Sequence, residues 1–346
     1  MTRQQYEPLI LADTAQLARP DWLELRKKGL GGSDAAAVLG ISPFRTARDL
    51  YYDKLGIVTA DDQANWVALE VGTLLEPLVA RIFEAKTGLK VYQRKCMFQH
   101  PLYPWMLADL DYMVDLPDGT TAIVEIKTTN YNAKDKWWYN GEEIVPVYYE
   151  TQGRHYMAVM NLDRVYYCCL YGNKEDAAII RRIDRDMDYE MELIALEQDF
   201  WENNVLAKSP PPYWEDDGDL ILESLRRTLG PADKDAPPVS LNRAQSARVT
   251  RFLELQEEKG RRDADTKAVE AEMKRLKALI VADMGTSCSA VSEDGCTITW
   301  NPVRKSGVSK EGLERLKAVH PEIYTEYVTI SESRRFNIKR PKPDAA

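Results

Sequence analysis

The 346-residue sequence predicts an α/β fold in which helices flank a central mixed β-sheet, followed by a C-terminal helical and β-hairpin region. Helix-like and strand-like segments alternate through the first 206 residues. The turn signal Pro117-Asp118-Gly119 separates two strand-like runs, as in a hairpin. The run Ser-Pro-Pro-Pro after Lys208 predicts a stiff, extended segment at which the first part of the chain ends.

Helices are predicted before, within and after the sheet, at 21–28, 34–39, 46–55, 66–87, 148–161 and 187–206. Strands are predicted near 91–100, 105–115, 121–129, 164–171 and 177–184. Ser33 is predicted to cap the second helix, after a Gly31-Gly32 loop. In the long helix, Pro77 marks a place where the helix can break.

The sequence predicts three regions, a domain over 1–208, a Pro-rich acidic linker over 209–240 and an accessory domain over 241–346. Residues 241–284 are charged, favour helix and contain no proline. Their heptads are imperfect, so a helical hairpin or one packed long helix fits as well as a coiled coil. A hairpin around 287–301 and a helix near 309–319 complete the region. Nothing in it suggests catalysis, so it is predicted to bind a partner or to buttress the first domain.

Composition excludes several classes of protein. No stretch of about 18 apolar residues is present, which predicts no membrane span. Five cysteines without CxxC spacing indicate a reducing cytoplasm and disfavour zinc or iron–sulfur sites. Only three histidines are present, which disfavours a histidine-based hydrolase. The net charge of −9 is unusual for a DNA-binding protein, but basic clusters at 26–28, 134–136 and 181–182 offer local phosphate contacts.

The segment from Asp111 to Lys127 carries the strongest chemical signal. Alternation along a strand places Glu125 and Lys127 on one face and directs Ile126 into the core. Asp111, Glu125 and the Ile126 carbonyl are oxygen ligands of the kind that Mg²⁺ prefers. Lys127 would orient or deprotonate a metal-bound water, or offset charge on a phosphate. An ordinary solvent-facing hairpin with alternating Glu and Lys explains the spacing equally well.

The flanking residues favour the first interpretation. The pattern D-x(n)-E-x-K resembles the PD-(D/E)XK nuclease superfamily, and its flanking blocks are similar to the branch of phage lambda exonuclease and the YqaJ-type viral recombinase nucleases. These blocks lie between residues 20 and 205 and read, in order, WLELR, GGSDAAAVLG, GTLLEP, MLADLD, YETQ and HYMAV. The resemblance implies a restriction-endonuclease-like core. The family often reads Pro-Asp-Gly at the first metal acid, whereas this chain reads Asp109-Leu110-Asp111-Tyr112. Asp111 matches that position best, and Asp109 competes for the role because it faces the same side.

The resemblance implies Mg²⁺, with Mn²⁺ as a substitute, bound by Asp111, Glu125, the Ile126 carbonyl and Glu76. Lys127 would position the nucleophile. Gln152 would orient the attacking water or a phosphate, because it shares one helical face with Tyr149 and Tyr156. Glu76 has an alternative role as an acid that stabilises a helix N-terminus. Gln152 has an alternative role as a polar neighbour of core tyrosines.

Arg26 and Ser33 match residues that engage the DNA 5′-phosphate in lambda-exonuclease-like enzymes. An arginine fork and the backbone N–H groups of a helix N-terminus both suit a phosphate. A surface arginine and a plain helix cap are the alternatives. Trp137 and Trp138 are interpreted as residues that stack on a frayed base or, more simply, pack on the core. His155 is predicted to be structural.

The resemblance therefore implies a Mg²⁺-dependent 5′-to-3′ exodeoxyribonuclease that acts on linear duplex DNA and leaves 3′ single strands for phage-type recombination. Its implied partners are duplex ends, a single-strand annealing protein and further copies of itself in a homotrimer. Its expected location is the cytoplasm of a bacterium that carries the phage or prophage. A lysine that works as a neutral amine predicts an alkaline optimum. A restriction-like or structure-specific endonuclease and a catalytically decayed DNA-binding protein remain alternatives.

Overall fold

The structure is a computed structural model that describes residues 5–57, 66–229, 236–301 and 309–327. The chain divides into two compact units, Met1–Lys234 and Asp235–Ala346. The strands of the first unit are β1 (Leu9–Asp13), β2 (Leu30–Gly31), β3 (Val91–Tyr92), β4 (Cys96–Gln99), β5 (Met106–Ala108), β6 (Tyr112–Asp115), β7 (Thr121–Thr128), β8 (Trp138–Tyr139), β9 (Glu142–Glu143), β10 (Arg164–Leu170) and β11 (Ala178–Asp184). Its helices are α1 (Arg19–Arg26), α2 (Gly32–Val38), α3 (Ala47–Lys54), α4 (Trp66–Thr87), α5 (Val147–Met160), α6 (Met187–Phe200) and α7 (Gly218–Leu229).

The central sheet is mixed. Its five strands follow the order β11-β10-β7-β6-β3. β10 runs parallel to β7, whereas the other neighbours are antiparallel. Ile123 on β7 joins a core cluster with α2, α3 and α5, and Val124 joins a second cluster with α4. Helices therefore cover both faces of the sheet, which confirms the predicted α/β core.

A second sheet, which the sequence did not predict, has four strands in the order β1-β4-β5-β2. Two predicted strands each contribute to both sheets. The predicted strand 91–100 divides into β3 and β4, and 105–115 divides into β5 and β6. The short segment from Asp109 to Asp111 crosses from one sheet to the other. This crossing places two carboxylates at the junction of the sheets.

Helix α5 lies against β10 at a position that only glycine allows. A Cβ atom added at Gly153 would overlap the Tyr167 hydroxyl. That hydroxyl donates a hydrogen bond to the Tyr149 carbonyl at 2.7 Å. The glycine therefore lets α5 approach the sheet closely and fixes the height of its other side chains above β7.

Two local predictions about helices are wrong. Helix α4 continues through Pro77, because packing of the helix on β7 and β10 outweighs the missing hydrogen bond. Gly31, and not Ser33, is the N-cap of α2. The Asp34 carboxylate accepts a hydrogen bond from the Gly31 N–H at 3.0 Å and so takes over the capping role.

The predicted linker over 209–240 is also wrong for its first part. Residues 209–229 pack on the first unit, and α7 lies within them. The buried Glu215 carboxylate accepts a hydrogen bond from the Ala47 N–H at 2.8 Å. Ser224 and Arg227 of α7 both bind Asp49, at 2.8 Å and 2.9 Å. These polar contacts hold the segment to α3 despite its proline-rich start.

The second unit contains α8 (Arg243–Met284), β12 (Ser289–Val291), β13 (Thr297–Thr299), α9 (Lys310–Val319) and α10 (Pro321–Tyr327). Helix α8 is continuous over 42 residues, and none of them is buried. Asn242 caps it by accepting from the Gln245 N–H at 3.0 Å. Residues 302–308 and 328–346 of the predicted accessory domain lie outside the described residues. Across the described chain, no helix has the length and apolar character needed to cross a membrane.

Candidate active site

The antiparallel pair β6–β7 brings the two predicted metal acids together. Asp111 stands directly before β6, and Tyr112 at the start of that strand pairs with Val124, the residue before Glu125. One oxygen of Asp111, Oδ2, accepts a hydrogen bond from the Ile126 N–H at 2.8 Å. Asp111 is therefore tied to the backbone next to Glu125, in the arrangement that the hairpin predicted.

Glu125 is fully buried, and its two oxygens are in different situations. Oε2 accepts hydrogen bonds from Lys127 Nζ at 3.0 Å and from Gln152 Nε2 at 2.9 Å. Oε1 is buried without a hydrogen-bond partner. A buried carboxylate oxygen without a partner is costly, so this atom has the chemistry of a ligand position.

Gln152 joins the acid and the lysine. While its Nε2 donates to Glu125, its Oε1 accepts from Lys127 Nζ at 3.1 Å. The Lys127 ammonium also lies 5.0 Å from the centre of the Tyr149 ring. The Tyr156 hydroxyl is 3.4 Å from Gln152 Nε2. The α5 face that carries Tyr149, Gln152 and Tyr156 thus meets the β7 face that carries Glu125 and Lys127.

Too little positive charge lies near the carboxylates of the site to keep them all ionised. Burial, and then the charge of Asp111, raises the pKa of Glu125 to about 8. Burial and Asp111 likewise raise the pKa of Glu76 to about 7. Burial lowers the pKa of Lys127, but Glu125 and Asp111 outweigh it, so its pKa is raised and it stays an ammonium. Carboxylates that resist ionisation beside one lysine are the electrostatic condition that a divalent cation relieves.

The residues fit a hard cation that retains several waters. In the part of the chain that the structure describes, no three His, Cys, Asp or Glu side chains are gathered closely enough to hold a metal ion. Glu76 instead accepts a hydrogen bond from Gln93 at 3.1 Å. Asp111 and Glu125 Oε1 supply carboxylate oxygens, and Mg²⁺ is commonly held by one or two carboxylates plus water. The ligand roles of Glu76 and of the Ile126 carbonyl stay predictions.

A cavity of about 370 Å³ extends from these acids to the predicted phosphate-binding residues. Glu76, Asp109 and Asp111 line it, together with Arg26 and Ser33. All five were predicted from the sequence as site residues or as a competitor for one. The indole N–H of a tryptophan, Trp22, donates to Asp109 Oδ2 at 2.6 Å, so one oxygen of this competing acid is already occupied.

Arg26 is held in place on several sides. Its Nη2 donates to Ser33 Oγ at 2.8 Å and lies 3.2 Å from Asp34 Oδ1. Its guanidinium carbon lies 4.9 Å from the centre of the Trp22 ring. The guanidinium is thus preorganised at the cavity wall, where it can present its remaining N–H groups to an anion.

Asp34 is the most important residue that the sequence reasoning missed. It is fully buried and forms ion pairs with Lys54 Nζ at 2.6 Å, with Arg45 and with Arg26. Burial raises the pKa of Asp34, but Lys54, Arg45 and Arg26 outweigh it and hold the pKa well below its usual range. An acid directly before the apolar run Ala35–Val38 was the available signal, because a charge in a buried helix needs partners.

Two further predictions can be compared with the structure. Trp137 is 2% exposed and lies against Tyr149 and Tyr167, so the proposal that it stacks on a base is wrong and the core interpretation holds. His155 is fully buried, with Glu197 Oε1 2.8 Å from Nδ1 and the Leu107 carbonyl 2.9 Å from Nε2. These contacts fit the structural role predicted for His155.

Comparisons with known proteins find similarity in sequence and in structure. Residues 21–163 match the family model of the YqaJ-like viral recombinase domain. The uncharacterized protein YqaJ of Bacillus subtilis (strain 168) is 29% identical over 334 residues, which cover 95% of this chain and 97% of that relative. An alkaline exonuclease from Laribacter hongkongensis is similar in structure, with a TM-score of 0.45, 20% identity and coverage of 55% of this chain and 94% of that one. A phage related exonuclease from Haemophilus somnus 129PT has a TM-score of 0.38 and 12% identity, and covers 54% of this chain and 100% of its own.

Proposed function

Because residues 21–163 form a YqaJ-like viral recombinase domain, we propose that this chain is a metal-dependent deoxyribonuclease, a 5′-to-3′ exonuclease that acts on the ends of linear duplex DNA. The observation that carries the proposal is the cluster that the buried Glu125 forms with the partly buried Asp111 and Lys127. Its one unpartnered oxygen, Glu125 Oε1, belongs to a carboxylate that ionises only with difficulty in the absence of a cation.

Each side chain of the cluster has a distinct role in the proposal. Asp111 and Glu125 hold Mg²⁺ or Mn²⁺, with the Ile126 carbonyl and Glu76 completing the site directly or through water. The bound ion supplies a polarised phosphoryl oxygen and a water of lowered pKa. Lys127 and Gln152 hold Glu125 Oε2, and thereby leave the buried Oε1 available to the ion. The raised pKa of Lys127 makes it a charge that stabilises the attacked phosphate and not a neutral amine, so the ground on which an alkaline optimum was predicted does not hold.

Recognition of the DNA end is assigned to Arg26 and Ser33. They share a hydrogen bond and line the same cavity as Asp111. A terminal 5′-phosphate at Arg26 would place the adjoining phosphodiester toward the acids of that cavity. This shared cavity supports cleavage from a 5′ end.

The wider role is proposed from the family. The 3′ strand left by digestion would pass to a single-strand annealing protein during phage-type recombination in the bacterial cytoplasm. A homotrimer around the duplex would keep the enzyme on its substrate.

The test is digestion of linear duplexes in the presence of Mg²⁺. The intact chain should release nucleotides from 5′-phosphate ends, and Lys127→Ala and Glu125→Ala should abolish release while duplex-end binding stays measurable. Lys90→Ala is the matched control, because this exposed lysine pairs with Glu84 rather than with the acids of the site. Full activity of Lys127→Ala or Glu125→Ala would refute the mechanism. Efficient nicking of covalently closed circles would favour an endonuclease, and binding without cleavage by the intact chain would favour a non-catalytic DNA-binding protein.

A further inference from the structure

We propose that Phe44 and Tyr148 form a stacking platform for the nucleobases next to the cleaved phosphate. The inference rests on the proposed nuclease function and adds a base-binding subsite to it. The ligand is an unpaired or frayed base of any sequence, held by its flat face and not by its hydrogen-bonding edge.

The first line of evidence is a row of aromatic rings that leads from the active-site lysine to the surface. Lys127 Nζ lies over Tyr149 at 5.0 Å from the ring centre. The Tyr149 ring is 4.5 Å from that of Tyr148, which in turn is 5.7 Å from Phe44 at an interplanar angle of 87°. Phe44 ends the row with 65% of its surface exposed. The row therefore begins at the proposed reaction centre and ends at the surface.

The second line of evidence is that Phe44 directly precedes a residue of the ion-pair network that holds Arg26. Phe44 lies in the loop between α2 and α3, where its N–H donates to Ser42 Oγ at 3.2 Å. The next residue, Arg45, pairs with the buried Asp34, which also holds Arg26. Covalent and ionic contacts thus fix Phe44 to the phosphate-binding residues, while ring contacts fix it to Lys127.

A buried side chain packs against the aromatic row. Trp137 is buried and its ring lies 6.0 Å from that of Tyr149. Burial raises the pKa of Tyr148 to about 12, so this ring remains neutral when a nucleic acid approaches. A backed, neutral aromatic edge with one exposed terminal ring is a surface that loses little conformational freedom when a flat ligand binds.

A nucleobase is the occupant that this surface fits best. Lys127 lies at one end of the aromatic row, and at the other end Phe44 is followed by Arg45, which shares the partner Asp34 with Arg26. Stacking on an aromatic ring is tolerant of sequence, because every base has a π face. An enzyme that digests DNA of any sequence needs this kind of contact. The base-stacking role predicted for Trp137 therefore passes to the exposed Phe44.

The experiment compares wild type and Phe44→Ala in single-turnover digestion of two linear duplexes with 5′-phosphate ends. One duplex carries normal nucleotides at the 5′ end, and the other carries abasic nucleotides at the same positions. Phe44→Ala should slow digestion of the normal duplex roughly 5- to 150-fold, the effect expected from losing one stacked base. On the abasic duplex the variant and the wild type should be equally slow. Phe44→Trp should restore the normal rate.

Tyr139→Ala is the matched control, because Tyr139 is 67% exposed on the β8–β9 hairpin. It should leave both rates unchanged. Since Phe44 is exposed, its replacement should leave the thermal midpoint within a few degrees of wild type. If wild type cleaves and Phe44→Ala is as fast, or is slowed equally on both duplexes, the platform is refuted. If wild type itself cleaves neither duplex, the proposed nuclease function fails instead.

Discussion

Replacing Glu125 with glutamine is expected to make the metal-free protein more stable at alkaline pH while abolishing cleavage. The cause is the buried carboxylate, whose pKa is raised from an ordinary 4.5 to about 8. Between these values the unfolded chain loses the proton and the folded chain keeps it, so stability falls as the pH rises. Above about pH 8 the loss is complete, and the raised pKa corresponds to at most about 5 kcal/mol.

Glutamine keeps the shape of the protonated side chain and cannot ionise. At pH 4 in EDTA, wild type and Glu125→Gln should therefore have similar thermal midpoints, and by pH 6 wild type should already be less stable by about 2 kcal/mol, because pH 6 lies above the ordinary pKa of 4.5. At pH 9 the variant should be more stable by about 2 to 5 kcal/mol, roughly 5 to 15 °C for a unit of this size. Circular dichroism during heating measures both midpoints. Glu143→Gln, a change in an exposed carboxylate, should follow wild type at each pH.

Adding Mg²⁺ at pH 8 provides a second measurement of stability. The ion should stabilise wild type by about 2.7 kcal/mol at 100 times its dissociation constant. It should affect Glu125→Gln much less, because one carboxylate of the site is gone. Parallel loss of stability in wild type and variant between pH 6 and pH 9 would refute the reasoning about the buried charge. Cleavage by the variant would refute the proposed role of Glu125.

Three further outcomes are expected. Arg26→Lys keeps the charge but loses the fork, so the preference for 5′-phosphate over 5′-hydroxyl ends should fall roughly 10-fold or more in initial rates, and an unchanged ratio would contradict the assignment. Glu197→Gln should cost about 3 to 5 kcal/mol at pH 6, because it leaves the buried His155 without its carboxylate. Glu197 outweighs burial and raises the pKa of His155, so the stabilisation is complete below about pH 6.5 and is lost as the pH rises through the raised value. Urea unfolding at pH 6 and pH 9 should show the gap between wild type and Glu197→Gln narrowing, and a constant gap would contradict this. Gly153→Ala should lower the thermal midpoint by several degrees, equivalent to about 1 to 3 kcal/mol, whereas Gly260→Ala, which meets open space on α8, should leave it unchanged or raise it slightly.

The sequence predicted the central sheet and the faces of β7 and α5 that meet, for identifiable reasons. Period-two alternation around Ile126 determined which side of β7 carries Glu125 and Lys127, and the structure shows those two side chains in contact. The helical spacing of Tyr149, Gln152 and Tyr156 placed one face of α5 toward the site. Local periodicity is enough to predict a contact where a single helix or strand packs one face against one neighbouring element.

The second sheet and the Asp34 cluster could not be predicted in the same way. Strands as short as β2 and β5 have no measurable periodicity, and they pair across 76 positions, from Leu30 to Met106. Asp34 on α2 pairs with Arg45 in the loop before α3 and with Lys54 at the end of α3, and only the packing of α2 on α3 brings these residues together. The linker prediction failed because composition describes the stiffness of a segment and not the surface on which it packs.

Helix α5 carries Tyr148, Tyr149, Gln152, His155 and Tyr156 on one rigid body, and Gly153 sets its distance from β10. The orientations of these five side chains about the helix axis are therefore fixed relative to one another. Insertion of a single residue ahead of Tyr148 in α5 would turn the whole set by about 100° relative to the helix start, so the set can only be kept or lost together. Insertions or deletions within this segment should therefore disrupt the whole set at once, whereas changes of equal length in the exposed connection 172–176 between β10 and β11 should be better tolerated.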